Sequence, residues 1–541
     1  MSMTRMTVWR GACAGSRGLA SAAQRGDGEA AVSAVAVGLA LLLSVGGAGC
    51  SACGSGGGAL SSDGGVDLGE VEDLGPVVDA RADGEAGVDA GPQPLRVRIQ
   101  RLSAEPCADW EVAPLWEPPP GTGEVPELLW VFDPSDDPKA REALRSSFGG
   151  EWLAPATHLA LSRLGHVWMV GPELGTLSVL DEQGRLLQWF RPGGGPGGAY
   201  EALIPHPPVV APDGSVRAVR RRPDGYLRYR WNATTGAYAQ QVFDVGALVG
   251  EPFPEPEFPF PAPAMVLTSG GRVLMSWGGT VTELCDTDPD GPPRPLRRFR
   301  WYRGEEKEAL GLPSIAEDGH WWMNTQTWEN LAVVEADGDG RPLRELPGVG
   351  LISPSRGARG AQRWPDGMRV LELGWLSDAG EFQHVTSISN PSSAPLRPYY
   401  DPARGIWLQG PMGYTRYADD GTALFTIESW ARPEAAVFGP DGSRLLSLRL
   451  DTLDGGVVEP RTESLRVLPD GGIAWRQRAE DTPSGRRWYG QGLLGRNGVL
   501  VGNTNPRDRS IGWAYAAWRV DVRAPEGYLP NPYRNGWAGS P

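Results

Sequence analysis

The feature that most constrains this chain is a short unit that returns between about residues 157 and 502. At its clearest it reads Ser314-Ile315-Ala316-Glu317-Asp318-Gly319-His320-Trp321-Trp322, where small and apolar residues lead into an Asp-Gly turn and aromatic residues lead out. Glycine accepts the positive φ of a tight turn and aspartate tolerates it, so each return of the unit marks a β-hairpin. First turns fall at Gly165, Asp213-Gly214, Gly270-Gly271, Asp318-Gly319, Asp366-Gly367, Arg404-Gly405, Asp441-Gly442, Asp470-Gly471 and Asn497-Gly498. Their spacing is near fifty residues early on and shortens to between 27 and 38 later, so some of the late turns belong to second hairpins. Four strands with loops fill about fifty residues, and radial repetition of such sheets makes a propeller. The expected fold is all-β, a β-propeller of about seven four-stranded blades, with eight as the alternative.

Flanking segments extend the pattern. Arg96–Leu102 alternates as a strand does, Leu128–Phe132 is a compact apolar strand, and Trp513–Val522 alternates after the last turn. Pairing the last of these with the N-terminal strands would close the ring and remove exposed sheet edges. The best helix candidate, Pro138–Ser147, is short. The 75 Gly and 50 Pro agree with a chain of turns, and 40% hydrophobic residues suffice for a packed core. Most of the 22 Trp fall inside the repeats, where buried blade positions are the first reading and sugar-stacking surfaces the second.

Residues 1–49 read as a signal peptide, with an apolar run over 30–45 that follows basic residues and precedes small ones. Gly46-Gly47-Ala48-Gly49-Cys50-Ser51 then resembles the bacterial lipoprotein signal, with Gly47 where that family usually carries Leu. The resemblance implies cleavage before Cys50, lipid on its sulfur and membrane attachment; Ser51 after it resembles lipoproteins sorted to the outer membrane. A cleaved signal without lipid and a retained anchor helix are the alternatives. Residues 50–94 form an acidic flexible tether: within 51–94, nine Asp and Glu stand against Arg81, a balance of −8. The propeller domain spans 95–541. With a net charge of −15 and only two lysines, Lys139 and Lys307, the chain carries no signature of a nucleic-acid binder.

Asp286-Thr287-Asp288-Pro289-Asp290-Gly291 places oxygen ligands at alternate positions before a glycine, the first half of a calcium loop, while Arg297 stands where the twelfth-position Glu belongs. Calcium at Asp286, Asp288 and Asp290 is therefore the one cofactor expectation; Glu335, Asp337 and Asp339 repeat the spacing less well. Cys107 and Cys285 are a candidate disulfide in an oxidising compartment, leaving Cys53 in the tether. Trp321, Trp322 and Trp328 form the densest aromatic cluster, read either as core or as a glycan-binding face. The Gly193–Gly198 run reads as an inter-blade loop. The five histidines show no zinc-type spacing. Asn232-Ala233-Thr234-Thr235-Gly236-Ala237-Tyr238 resembles the blade motif of quinoprotein-like propellers, with Asn for Asp and Tyr for Trp. That resemblance implies propeller architecture and leaves function open, since the superfamily holds both dehydrogenases and a scaffold lipoprotein.

The resulting expectation is an exported, lipid-anchored propeller that binds an envelope protein or a glycan. The competing class is an exported enzyme, either a glycan-active hydrolase or lyase or a quinoprotein-type oxidoreductase.

Overall fold

The computed structural model describes residues 71–74 and, with interruptions, 95–523, and the structural statements below concern those residues. Cys50, Cys53, Trp328, His206, the Gly193–Gly198 run and most of Pro138–Ser147 lie outside them.

The strands assemble into eight antiparallel sheets, so the propeller has eight blades, the second of the two expected counts. Blades 1 to 7 span 158–190, 209–243, 264–303, 314–347, 349–389, 397–428 and 434–478 in chain order. Blade 8 takes three strands from 492–519 and its outer strand, Glu127–Phe132, from the other end of the domain. The first strand of blade 8 lies against the first strand of blade 1, which closes the ring. Closure is the role expected of the flanking strands; Glu127–Phe132 and Ala514–Arg519 fill it, whereas the first of them, Leu95–Arg101, joins blade 3 instead.

Eight hydrophobic clusters hold the ring, one at each interface between consecutive blades. They arise because alternate residues of a strand face opposite sides of its sheet. In blade 1, Val167 and Met169 pack toward blade 8 while Trp168 packs toward blade 2. In blade 4, Trp321 and Met323 face blade 3 while Trp322 faces blade 5. A second strand buried on both sides is therefore apolar at every position, which the sequence shows as runs such as Val167–Val170.

The Asp-Gly turns close hairpins through one repeated geometry. At Asp213-Gly214 the glycine has φ 79°, and Asp213 Oδ1 accepts from Ser215 N at 2.9 Å. The same turn serves the third connection of several blades, for example Gly184 and Gly471. Two of the expected first turns are thereby reassigned. Asp470-Gly471 joins the third and fourth strands of blade 7, and residues 366–367 fall between the second and third strands of blade 5.

Two features depart from the sequence reading. A five-residue helix, Val245–Val249, follows blade 2, capped by Asp244 (Oδ1 accepts from Ala247 N at 2.8 Å) and ended by Gly250 at φ 71°. It buries Val245, Leu248 and Val249 between blades 2 and 3. Within residues 50–94, expected to be a flexible tether, Val71–Leu74 forms a strand antiparallel to Leu95–Arg101, which itself pairs with the outer strand of blade 3, Arg294–Arg303. With Glu306–Glu308, which also pairs with Arg294–Arg303, the blade 3 sheet has seven strands where each of the others has four. No helix among the described residues is long and apolar enough to cross a membrane.

Candidate functional site

The third strand of blade 3, Thr280–Cys285, runs directly into the loop expected to hold calcium. Cys285 is disulfide-bonded to Cys107, with Cα atoms 5.4 Å apart. Just beyond it the loop carboxylates diverge. Asp286 turns inward and is 1% exposed. It accepts from Arg217 Nε at 2.6 Å, Arg228 Nη1 at 2.7 Å and the Tyr226 hydroxyl at 2.7 Å. Arg228 also donates to the carbonyl oxygens of Asp288 and Gly291, at 2.8 and 2.6 Å, and to Gln241 Oε1 at 2.6 Å. Asp288 accepts from Asp290 N, and Asp290 points to solvent with Arg230 3.7 Å away.

The loop therefore curls round a guanidinium. Carbonyl oxygens that a calcium loop would turn on a metal are turned on Arg228, and the one buried carboxylate is shared by two arginines. This corrects the expectation of a converging Asp286, Asp288 and Asp290 set: the spacing is that of a loop closing on a cation, and the neighbouring blade supplies the cation. Among the described residues no group of three or more His, Cys, Asp or Glu side chains converges as metal ligands would. Burial pushes the Tyr226 phenol far up, with Asp286 adding to it, so the hydroxyl stays a donor. Burial disfavours the Arg217 cation, but Asp286, together with Tyr226 and Asp213, outweighs it and holds the pKa above its ordinary value.

From the disulfide the chain runs as a strap across the turns of four blades. Trp110 lies over the Arg217 guanidinium at 4.6 Å in blade 2. Ala113 N donates to Pro212 O at 2.9 Å and its carbonyl accepts from Arg163 Nε at 2.6 Å. Trp116 N donates to Arg163 O at 2.7 Å, and Trp116 O accepts from Asn497 Nδ2 at 3.0 Å in blade 8. A Cβ on Gly165, which has φ 83°, would come within 2.6 Å of the Trp116 ring, so that turn needs glycine twice over. The strap then enters blade 8 as its outer strand. Nothing in the periodicity of 103–126 marks it, because its contacts are backbone groups and two tryptophans meeting turns far away in sequence.

The remaining singled-out residues go into the frame. Trp321 and Trp322 are 2% and 1% exposed, each filling a different blade interface, so neither presents a face to a sugar. Glu335 accepts from His320 Nδ1 at 2.8 Å and from Arg344 Nε. Asp337 holds its own turn by accepting from Asp339 N and Arg341 N, and Asp339 pairs with Arg297 at 3.0 Å. The second acidic spacing is thus dispersed as well. Buried carboxylates elsewhere repeat the theme: Glu283 holds Arg272 and Arg297, Asp401 holds Arg416, and Glu463 holds Arg476 and Arg478. His166 is buried, with Nδ1 2.9 Å from the Tyr238 hydroxyl and Nε2 3.4 Å from Glu182. Burial lowers its pKa against the opposing pull of Glu182 and Asp181.

What sequence reasoning missed is the outer face of blade 3. Leu95, Val97 and Ile99 point into the interface with blade 4, so Arg96, Arg98 and Gln100 point the other way. On that side lie Arg298, Arg300 and Tyr302 of the adjoining strand, with Lys307 opposite Tyr302 in the next. Arg98 stands directly opposite Arg300, and its guanidinium lies 4.7 Å from the Tyr302 ring centroid. Glu251, at the end of the short helix, accepts from Lys307 at 2.7 Å and from Arg300 Nε at 3.0 Å. Arg298 packs beneath Gly250, where burial and then Arg300 lower its pKa. Like charges directly opposite each other destabilise a sheet, so this face is built at a cost. The signal was available as Leu-Arg-Val-Arg at 95–98 and Arg297-Arg298-Phe299-Arg300, but only the register puts them side by side. On the opposite side of the same strands a cavity of about 600 Å3 is lined by Arg101, Arg297, Arg341 and Asp339.

No protein-family profile matches the chain, and no curated protein matches it. Solved propellers do. A catalytically inactive virginiamycin B lyase from Staphylococcus aureus with quinupristin is 12% identical, covering 67% of this chain and 94% of that one at a TM-score of 0.32. The WD40 domain of Neurospora crassa Pan2 is 11% identical, covering 60% and 94% at 0.36. Kluyveromyces lactis Hsv2p is 9% identical, covering 60% and 97% at 0.30.

Proposed function

We propose that this chain is an exported, lipid-anchored β-propeller that acts by binding at the cell envelope, attached through Cys50. The observation that carries the binding reading is the division of its charge. Inside the ring, Asp286, Glu335, Asp401 and Glu463 are each committed to guanidinium groups, an arrangement that fixes blades. On the outside of blade 3, cationic side chains crowd together, with Glu251 holding Arg300 and Lys307, an arrangement that favours an anionic partner. Export is supported by the Cys107–Cys285 bond, since disulfides persist in oxidising compartments. The lipoprotein-like segment ending at Cys50 supplies the route.

The test is metabolic labelling with an alkyne fatty acid, followed by fractionation of cells producing the chain and its Cys50→Ala variant. The proposal expects label on the wild type only, with the wild type in the membrane fraction and the variant released. Label retained by the variant, or wild-type protein in the cytosol with Cys107 and Cys285 reduced, would remove the anchored reading.

A further inference from the structure

The strand Leu95–Arg101 is the place where this sheet accepts additional strands. It is itself an addition to blade 3, and Val71–Leu74 is paired on its far side, with Leu74 opposite Val97 and Val71 opposite Gln100. We propose that this edge of blade 3 is a docking site for an acidic peptide in extended conformation, bound by strand addition, and that Val71–Leu74 is its resident occupant. The proposal rests on the binding reading above and names the partner's chemistry.

Strand addition draws affinity from main-chain hydrogen bonds along the edge and specificity from alternate side chains. The alternate positions here are Arg96, Arg98 and Gln100, backed by Arg298, Arg300 and Lys307. Five of these six are cationic, and Glu251 is the carboxylate that meets them, in a chain whose net charge is −15. The face therefore opposes the charge of the whole chain. In the register Asp73 of the resident strand falls opposite Arg98, while Glu72 falls opposite Ile99 and so belongs to the other face.

The same register shows where the resident strand is imperfect. Its pairing ends at Leu74, one position short of Arg96, and Val71 is the residue opposite Gln100. Residues two apart in a strand lie on one face, about 6.8 Å apart. An incoming strand with acidic residues two apart would set one opposite Arg98 and the next opposite Arg96. Such a strand matches the site better than the chain's own segment. The resident strand competes only through the high effective concentration of a tethered ligand.

The test uses the full chain carrying Val71→Pro and Asp73→Pro, which cannot donate to the edge. A fluorescent peptide with the sequence of residues 67–78 is titrated by anisotropy, alongside the same peptide bearing Gly75→Glu and one with its acidic residues changed to amides. The expected result is binding to the proline variant at least tenfold tighter than to the wild type, tighter again for Gly75→Glu, and absent for the amide peptide. Arg98→Ser with Arg300→Ser should weaken it at least tenfold. Hydrogen exchange provides a second reading: protection of the Val97–Gln100 amides should fall in the proline variant and return with peptide. The proposal is overturned by equal binding to wild-type and proline chains, by indifference to the arginine changes, or by heparin binding without restored amide protection, which would make the face a general polyanion patch. Each of those outcomes with Cys50-dependent labelling intact removes the docking site alone; loss of that labelling removes the anchored reading instead.

Discussion

Asp286→Asn separates a guanidinium-filled loop from a metal loop. Asp286 sits between Arg217 and Arg228, which are 1% and 0% exposed. Replacing the carboxylate by an amide keeps the shape but leaves two buried cations facing an uncharged group, with Tyr226 still donating into the same space. Breaking a buried ion pair by removing one partner costs about 3–5 kcal/mol. At about 2.1 cal/mol/K of unfolding entropy per residue, a domain spanning residues 95–541 moves its melting temperature by only about 1 °C per kcal/mol, so a fall of roughly 3–5 °C is expected. Asp288→Asn is the matched control. Its side chain accepts a turn hydrogen bond at the surface, and changes at such positions stay within about 0.5 kcal/mol. The assay is thermal melting by near-ultraviolet circular dichroism, with and without calcium and a chelator, plus hydrogen exchange read separately over blades 2 and 3. Loosening should begin in strand 226–232 and the 286–291 loop, because their contacts are the ones lost. The reasoning is refuted if the two variants melt alike, if Asp286→Asn costs less than about 1 kcal/mol, or if a chelator lowers the wild type to the level of the variant.

Further outcomes follow from the same geometry. Cys107→Ser should lose about 2–5 kcal/mol, the usual cost of losing a native disulfide, and a reductant should lower the wild-type melting temperature to that of the variant without moving the variant further. His166 has a folded pKa below its unfolded value near 6.5, so the unfolded chain binds more protons as pH falls below that point; stability is complete above it and declines beneath it, and His166→Gln should flatten the decline in melts run at successive pH values. Trp321→Ala should cost about 3–5 kcal/mol while leaving glycan-array signals unchanged, because the ring fills the interface of blades 3 and 4.

The sequence carried the architecture through its turns, and the limits of that reading have physical causes. Gly165, Gly214, Gly442 and Gly498 close first hairpins exactly where a positive φ was required, but Gly184, Gly340 and Gly471 close third connections with the same geometry. A turn reports that a hairpin closes, not which pair of strands it joins. That is why the late crowding allows either seven or eight blades, and why Asp470-Gly471 reads as a first turn although it joins the third and fourth strands of blade 7. The ring-closing strands are legible from alternation, whereas the strap is not, since Trp110 and Trp116 meet Arg217 and the Gly165 turn, groups far away in sequence.

The charged residues make the harder case. Asp-x-Asp-x-Asp-Gly reads as an oxygen cage for a cation, and the loop does enclose one, yet the ion is Arg228, about sixty residues earlier and in another blade. Spacing within a loop describes what the loop can surround; it is silent on what the rest of the fold delivers there. The same holds for blade 3. Arg96 and Arg98 alone read as the solvated side of an alternating strand, and Arg298 and Arg300 read as another, until the register lays one strand beside the other. A face that sets Arg98 against Arg300 works against the stability of the sheet. The strand at its edge places Asp73 opposite Arg98 in the register, and that is the reason to look for the partner there and not in the interior of the ring.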